Sequence, residues 1–260
     1  MIIILIVCVI LLIIGLVLLI KHWLFVRSLL NGFKNGNSIT FGKKGRGKDL
    51  LFQWVINKRK DFYYSNLNYG GKHKIVAIKD ISIFPNTYQK FILNDIDRVK
   101  RNFFEEKDFY ISDIGNYLPS QYDSMLHKTF PSMPLFYSLS RHLYNSNIHC
   151  NSQSLERPWK ALREQADFFV KCKGVIKLPF FLIISVNTYD KYKSALDELE
   201  PLSARILNKY SKAETDLYIA QHGEIKHGHI FVRRSKIKYD TRAFENLIFE
   251  KGSRRRYKRA

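Results

Sequence analysis

Cysteine is scarce in this chain, and its three residues are far apart. Cys8, Cys150 and Cys172 form no closely spaced pair in a sequence of 260 residues. A disulfide-rich scaffold and a cysteine-based zinc site both need cysteines at short, repeated spacings. The cysteine pattern therefore argues against both classes and fits a protein that folds in a reducing compartment.

Ionisable side chains are almost absent from residues 1–20, MIIILIVCVILLIIGLVLLI, where Cys8 is the exception. A helix of this length covers about 30 Å, the thickness of the hydrocarbon core of a bilayer. We predict a transmembrane helix at residues 1–22, followed by a linker at residues 23–37. A signal peptide and a buried core helix are the alternatives; the charges follow the apolar run, and no small-residue cleavage site comes after it. The basic residues after position 20 predict that the N-terminus is outside and the remaining domain is in the cytoplasm.

Acidic residues are few relative to basic ones. The chain has 43 Lys and Arg against 23 Asp and Glu, and the net charge of +20 lies beyond residue 20. The final segment, KGSRRRYKRA, has six basic residues and no acid, and we predict that residues 246–260 are a disordered basic tail. This charge indicates a polyanionic partner, and nucleic acid and anionic lipid head groups both fit.

Strand and helix patterns alternate from residue 38 to residue 160, which is typical of an α/β domain with a mostly parallel sheet. The predicted strands are 38–41, 74–80, 108–113, 147–153 and 178–190, with a strand pair at 227–240. The predicted helices are 49–60, 86–104, 134–144, 157–170 and 191–217, the last interrupted at Pro201, and residues 61–73 are predicted to be a loop. Residues after 170 fit the alternation less well and are predicted to add antiparallel edge strands. The domain is expected to span residues 38–245.

The stretch SITFGKKGRGKDLL, residues 38–51, matches the pattern G-x-x-x-x-G-K between a predicted strand and a predicted helix. Glycines let backbone N–H groups turn toward phosphates, the lysine reaches the terminal phosphates, and the helix N-terminus adds positive potential. A lysine-rich turn without a ligand is the alternative. We predict that ATP is bound by Gly42, Lys43, Lys44, Gly45, Arg46, Gly47, Lys48, Asp49 and Leu50.

Two aspartates are the predicted ligands of Mg²⁺. Asp49 stands where a Ser or Thr hydroxyl usually binds the metal, and a carboxylate oxygen is also a suitable ligand. Asp113 ends the predicted strand DFYISD, the place from which an aspartate holds the magnesium in P-loop enzymes. The next residue is Ile114, where a hydrolase of this type usually has a glutamate. Nucleotide binding is therefore predicted more firmly than hydrolysis.

The segment CNSQSLERPWKALREQAD supplies the remaining catalytic candidates. Gln153, at the tip of a predicted strand, is expected to orient the attacking water near the γ-phosphate. Arg157 and Arg163 follow, and either is a candidate arginine finger, although a surface arginine is the simpler interpretation of each. The predicted catalytic residues are Lys48, Asp113, Gln153 and Arg163.

Three segments, FGKKGRGKDLL, FYISDIGNYLPSQ and NSQSLERPWKALREQAD, resemble in this order the zonula occludens toxin-like family, the membrane-bound P-loop assembly proteins of filamentous phages. The resemblance covers roughly residues 38–190. It implies a P-loop ATPase fold of the additional-strand class that acts at the host cytoplasmic membrane. It also implies ATP and Mg²⁺ as cofactors, a homo-oligomeric ring, and a single-stranded DNA genome and phage coat or assembly proteins as partners.

Taken together, these features predict a membrane-anchored ATPase that couples ATP hydrolysis to the export of single-stranded DNA virions. One alternative is a membrane tether that binds nucleotide or DNA without hydrolysis, which Asp49 and Ile114 favour. Another alternative is an exported, toxin-like effector. The predicted cytoplasmic domain and the missing cleavage site argue against the effector.

Overall fold

The computed structural model describes residues 2–60, 63–67, 69–70, 73–75, 107–129, 134, 137, 140–141, 145–201 and 212–236. The strands are β1 (Ser38–Phe41), β2 (Tyr63–Ser65), β3 (His73–Ile75), β4 (Asp108–Ile111), β5 (Ile148–Ser152), β6 (Phe168–Lys177), β7 (Phe181–Tyr189) and β8 (Ile225–Arg233). They form one sheet in the order β3-β2-β4-β5-β1-β6-β7-β8. Strands β1 to β6 are parallel, and β7 is antiparallel to both β6 and β8.

The predicted α/β fold with a mostly parallel sheet is confirmed. Every residue of β1, β4 and β5 is buried, as expected for central parallel strands that are covered on both faces. One face of the sheet packs a cluster that includes Phe109 and Trp159, and the other packs a cluster that includes Phe33 and Phe52. The antiparallel strands come from residues after 170, as the sequence predicts.

Strand β5 lies between β1 and β4 in the sheet. Because β1 leads into the glycine-rich loop and β4 leads to Asp113, one additional strand separates these two segments. The carboxyl ends of parallel strands meet at one edge of a sheet, and ligands bind there. The sheet therefore has the additional-strand order of the predicted P-loop class, and β5 adds the residues at its own tip to that edge.

The described helices are α1 (Ile2–Asn35), α2 (Lys48–Arg59), α3 (Ile114–Tyr117), α4 (Asp123–Thr129), α5 (Lys160–Arg163), α6 (Tyr192–Leu196) and α7 (Lys212–His222). Short 3-10 turns occupy Ser120–Tyr122 and Arg234–Lys236. Helix α2 coincides with the predicted helix 49–60 to within one residue at each end. The predicted helix 86–104, most of strand 74–80, most of helix 134–144 and the tail 246–260 lie outside the described residues.

Four predicted elements differ from the structure. The predicted helical segment 191–217 corresponds to α6 and α7, which end at Leu196 and His222, and residues 202–211 lie outside the described residues. The predicted loop 61–73 contains β2, which pairs with β4. The predicted helix 157–170 is only the single turn α5, because the apolar residues 168–170 instead pair with β1 as the start of β6. The predicted strand pair at 227–240 begins as one strand, β8, followed by a 3-10 turn, and residues from 237 on lie outside the described residues.

Helix α1 continues through residues 23–35, where the sequence predicts a linker. Phe25, Leu29 and Phe33 recur every four residues along one face, and all three are buried. The ring of Phe33 lies 6.3 Å from that of Phe52 and 6.0 Å from that of Phe168, centroid to centroid. The last three turns of α1 are therefore part of the domain core, and this apolar face outweighs the glycine and asparagine residues that suggested a linker.

The carbonyl groups at the C-terminus of α1 are bound by side chains of the domain. Arg59 donates to the carbonyl of Phe33 at 3.1 Å, Asn147 to that of Lys34 at 2.8 Å and Arg141 to that of Asn35 at 2.5 Å. These bonds satisfy acceptors that a helix end leaves without partners.

Arg59 is also paired with Asp108. Burial of Asp108 opposes its ionisation, but His149, Arg59 and a backbone N–H together hold the pKa of Asp108 below its usual value.

The N-terminal part of α1 projects from the domain. Within the described residues, Ile6–Asn35 is a helix long and apolar enough to cross a membrane, and none of its most apolar window is buried. A signal sequence near an N-terminus also meets this criterion of length and composition. The structure therefore contains an apolar helix whose residues 6–20 are not buried and whose last turns are fixed to the domain.

Candidate nucleotide-binding site

The glycine-rich loop, residues 42–47, connects β1 to α2 at the carboxyl edge of the sheet. Gly42 has a φ angle of 148° and Gly47 one of 91°, in a region that residues with side chains rarely adopt. A Cβ atom at Gly42 would lie 2.6 Å from the carbonyl oxygen of Cys172, and one at Gly47 would lie 2.6 Å from Val175 Cγ2. These two positions therefore require glycine, because the loop passes directly against β6.

Lys48 crosses the loop from the first turn of α2. Its Nζ donates to the carbonyl oxygen of Gly42 at 2.8 Å and to that of Lys43 at 3.4 Å, and its side chain is 6% exposed. Lys43, Lys44 and Arg46 are exposed around it. The loop is thus a positively charged turn at a helix N-terminus with a buried ammonium group beneath it, which is the geometry of a phosphate site.

Asp49 connects α2 to the tips of three other segments. Its Oδ1 accepts hydrogen bonds from the hydroxyl of Tyr69 at 2.9 Å, from Ser112 Oγ at 2.7 Å and from Asn151 Nδ2 at 2.7 Å. Ser112 follows β4, and Asn151 is near the end of β5. A serine or threonine side chain at position 49 is too short to accept all three bonds. The unusual aspartate therefore holds the site together, whatever its contribution to metal binding.

We expect Asp49→Ala to lower the free energy of unfolding by about 2–4 kcal/mol, because three donors in or near the core lose this acceptor. Asp49→Asn keeps a carbonyl oxygen in the same place, and its cost is expected to be below about 1 kcal/mol. Chemical denaturation of the full chain in detergent measures both values. Equal costs for the two variants would contradict the role of the Oδ1 hydrogen bonds.

Asp113 lies beside Asp49 in a left-handed conformation, with a φ angle of 52°. Its backbone N–H donates to Asn151 Oδ1 at 2.7 Å, so Asn151 bridges the two aspartates. Burial and then the negative charge of Asp49 raise the pKa of Asp113, against the opposing charges of Lys48, Arg157 and Lys44. A pair of partly buried carboxylates that repel each other fits a Mg²⁺ ion, which prefers oxygen ligands.

The carboxylates can supply only part of a magnesium coordination shell. Among the described residues, no group of three His, Cys, Asp or Glu side chains is placed to hold a metal ion. Mg²⁺ is usually bound in proteins by one or two carboxylates, with water and substrate phosphates completing the octahedron. The donor set is compatible with a metal that would bind together with a nucleotide, and the assignment of Asp49 and Asp113 as its ligands stays a prediction.

We expect Asp113→Asn to raise the melting temperature of the protein in EDTA at neutral pH. Since folding raises the pKa of Asp113, the ionised carboxylate destabilises the folded state as the pH rises through that pKa, and the neutral amide removes this cost. Asparagine also tolerates the left-handed backbone. Addition of Mg²⁺ and ATP is expected to raise the melting temperature of the wild type more than that of the variant. A lower melting temperature for Asp113→Asn in EDTA would contradict this assignment.

The structure separates the two remaining catalytic candidates. Gln153 lines a cavity of about 760 Å³ next to the glycine-rich loop, together with Glu156 and residues of β6. Arg163 is not among the residues that line this cavity. Its guanidinium donates to the hydroxyl of Tyr192 at 2.6 Å and lies 5.7 Å from the ring centroid of Tyr192. Arg157 is instead the arginine near the carboxylates, because its charge acts on Asp113.

Sequence reasoning missed the residues that organise the site, above all Asn151. This side chain is fully buried and bonds both to Asp49 and to the backbone of Asp113, whereas the sequence pattern singled out Gln153 two residues later. Ser152 Oγ, also at the tip of β5, is buried and has no hydrogen-bond partner among the described residues. The polar run CNSQ at a strand tip was the available signal.

Leu50, which the sequence analysis assigned to the phosphate-binding loop, packs its side chain against the core, so its contribution is limited to the backbone.

No protein-family model matches the chain, and no curated protein is similar to it in sequence. Solved structures with a similar fold include the N-terminal domain of zonular occludens toxin from Neisseria meningitidis, with 8% identity, a TM-score of 0.41, and coverage of 81% of this chain and 97% of that chain. They also include the genome packaging NTPase B204 from Sulfolobus turreted icosahedral virus 2 in complex with AMP, with 13% identity, a TM-score of 0.37, and coverage of 80% and 96%. At these scores, the P-loop fold is assigned from the sheet order and the loop geometry of the chain itself.

Proposed function

We propose that the chain is a membrane-anchored P-loop ATPase that acts in filamentous phage assembly and couples ATP hydrolysis to the export of a single-stranded DNA genome. The observation that supports it most is the convergence of the loop, Lys48, Asp49 and Asp113 at one edge of the sheet. This arrangement combines a phosphate cradle, a buried cation and a carboxylate pair, with Asp113 brought from a second segment of the chain. Each of these parts is needed to bind and polarise a nucleoside triphosphate.

The residues of the chain have distinct roles in this proposal. The backbone of residues 42–50 binds the phosphates, and Lys48 offsets the charge that develops on the γ-phosphate. Asp113 and Asp49 would hold Mg²⁺, which would supply further charge neutralisation when bound together with ATP. Gln153 orients water in the adjoining cavity. We assign no catalytic role to Arg163, since Tyr192 binds its guanidinium, and Arg157 is the better candidate for contact with phosphate.

A group that activates water must come from outside β4. Ile114 follows Asp113, is 1% exposed and belongs to the core, so that position presents no acid to the site. Of the acids in the segment after β5, Glu156 lines the cavity beside Gln153, whereas Glu164 is paired with Lys160 on the surface. Asp167 accepts a bond from the backbone of Asn37 at the opposite edge of the sheet. Glu156 is therefore the residue we assign to water activation.

Membrane anchoring and DNA binding rest on other features. The exposed apolar part of α1 fits a membrane span, and the charge of +20 fits a nucleic-acid partner. Since α1 continues into the domain core without a linker, force generated in the domain would be transmitted directly to the membrane. Binding to coat or assembly proteins and assembly into a ring are further parts of the proposal.

The decisive experiment measures phosphate release by the full chain in detergent, with and without single-stranded DNA. The proposal predicts Mg²⁺-dependent turnover that single-stranded DNA stimulates several-fold and that Lys48→Ala abolishes. Glu156→Gln is expected to retain ATP binding and lose turnover. ATP binding without turnover under any of these conditions would reject the motor.

A non-hydrolysing tether is the second candidate, and the burial of Ile114 is the observation that favours it. In this case the site binds nucleotide, or the DNA backbone, and the protein links a genome to the membrane without ATP turnover. The toxin-like effector is distinguished by protease accessibility in intact cells. An effector would expose the domain outside, whereas both membrane-bound candidates keep it in the cytoplasm.

A further inference from the structure

The hairpin formed by β6 and β7 extends well beyond the parallel strands. Lys171 of β6 is level with Phe41, the last residue of β1, and β6 continues to Lys177. Six further residues at about 3.3 Å each carry the strand roughly 20 Å past the carboxyl edge. Strand β7 returns along it, and the turn is closed by a bond from the N–H of Leu178 to the carbonyl of Phe181 at 2.9 Å.

The far end of this hairpin is apolar and exposed. We call its large side chains, with the neighbouring Phe231 of β8, the hairpin tip: Ile176 (56% exposed), Leu178 (41%), Phe180 (77%), Phe181 (39%) and Phe231 (51%). Exposed aromatic clusters of this kind mark contact surfaces. Lys177, Arg233 and Arg234 are exposed around them, and residues 168–189 and 225–236 contain no Asp or Glu. The hairpin tip is therefore both apolar and positively charged.

Helix α1 runs along β8 toward the hairpin tip. Lys226, near the start of β8, donates to Ser28 Oγ at 2.9 Å, Phe25 packs against Gly228, and the rings of His22 and Phe231 are 5.3 Å apart. As these contacts advance from the start of β8 toward its end, the contacting residues of α1 lie progressively closer to the N-terminus of the helix. The helix and the strand are therefore antiparallel, and α1 leaves the domain where the hairpin tip lies.

The height of the hairpin tip along α1 follows from these contacts. Phe231 pairs with Ile183, and two residues further Arg233 pairs with Phe181. Two strand residues span about 7 Å, which corresponds to four or five residues of α-helix. Measured from His22, Phe181 is thus level with about residue 17 of α1, inside the apolar run that ends at Ile20.

We propose that the hairpin tip inserts into the interfacial layer of an anionic bilayer beside α1 and forms a second membrane contact. This inference rests on the proposed membrane anchoring of α1. Any bilayer that surrounds residues 2–20 reaches Phe180 and Phe181, and the basic side chains around them match anionic head groups. Trp23 and Arg27 follow the apolar run of α1, and the guanidinium of Arg27 lies 5.3 Å from the ring centroid of Trp23, an aromatic and basic pair typical of a membrane interface. The hairpin then holds the nucleotide site facing the bilayer at a distance of about 20 Å.

Depth-dependent quenching tests this contact in the full chain reconstituted into nanodiscs that contain anionic lipid. A fluorophore is attached at the exposed Cys8, or at Phe180→Cys or Asn57→Cys in a Cys8→Ser background. Asn57 is an exposed residue near the end of α2, at the opposite edge of the sheet, and serves as the matched control. Cys150 and Cys172 are buried, and burial raises the pKa of both thiols to about 12, so neither competes for the label.

The expected pattern is quenching of the label at position 8 by spin groups deep in the bilayer, quenching at position 180 by shallow spin groups, and quenching at position 57 by neither. Quenching at 8 without quenching at 180 would overturn the hairpin contact while the anchor stands. No quenching at 8 would overturn the anchor and the hairpin contact with it. Cross-linking through position 180 between two copies, with no shallow quenching, would assign the hairpin tip to a second copy of the chain and overturn the proposal.

Discussion

Lys48→Ala is expected to weaken ATP binding by at least about 100-fold, the loss expected when a charge-assisted contact to phosphate is removed from a site sheltered from water. The Nζ of Lys48 lies beneath the loop, 2.8 Å from the carbonyl oxygen of Gly42, where a bound phosphate would replace carbonyl groups as its partner. Exposed lysines on the same loop are screened by solvent and contribute less. Competition with a fluorescent nucleotide measures the affinity.

Two further variants make this result specific to the charge. Lys48→Met keeps the length of the side chain and is expected to lose affinity to a similar extent. Lys58→Ala removes the same charge from the exposed, opposite end of α2 and is expected to leave affinity within about twofold of the wild type. Wild-type affinity in Lys48→Met would show that nucleotide binds elsewhere or not at all.

Phe33→Ala is expected to lower the free energy of unfolding of the domain by about 3–5 kcal/mol, as large-to-small substitutions in a core do. Phe33 is fully buried, and its ring contacts Phe52, Phe168 and the imidazole of His149, the last with centroids 5.1 Å apart. The alanine leaves a cavity between α1, α2 and the sheet. Chemical denaturation of the full chain in detergent, followed by near-UV circular dichroism, measures the loss.

Leu24→Ala is the matched control, since Leu24 lies on the same helix and is 52% exposed. Its substitution is expected to change the stability of the domain by less than about 0.5 kcal/mol. Equal effects of Leu24→Ala and Phe33→Ala would contradict the docking of α1.

The docking of α1 also implies that a soluble fragment starting at residue 35 lacks part of its hydrophobic core. A fragment for biochemical work therefore needs to begin near Lys21.

The parts of the fold that are encoded locally could be predicted from the sequence. Strand β1, the glycine-rich loop and α2 follow from residues 38–59, where glycine positions, strand pattern and helix pattern are contiguous. The parallel sheet follows from the alternation of strand and helix patterns up to residue 160, and the antiparallel strands follow from the weaker alternation after residue 170. The short strand β2 was missed because three residues of a central strand carry too little periodicity, and the end of α5 was misplaced because FFV suits a helix face and a buried strand equally.

The partners within the site could not be predicted, because they come from distant positions. Asp49 looks like a defect in a phosphate-loop motif, but it accepts hydrogen bonds from Tyr69, Ser112 and Asn151, which lie 20, 63 and 102 residues away. The same limit applies to Arg163, whose sequence context suggests catalysis although it binds Tyr192. It also applies to the end of α1, whose bonds to Arg59, Asn147 and Arg141 exist only in the folded domain.

The most direct test of the central claim, a nucleotide site at the carboxyl edge, is an equilibrium titration of the full chain in detergent with a non-hydrolysable ATP analogue, with and without Mg²⁺. The account predicts saturable binding at one site per chain, tighter with Mg²⁺, and loss of the Mg²⁺ effect in Asp113→Asn. Absence of saturable binding, in a sample whose unfolding transition shows that the domain is folded, would contradict the account.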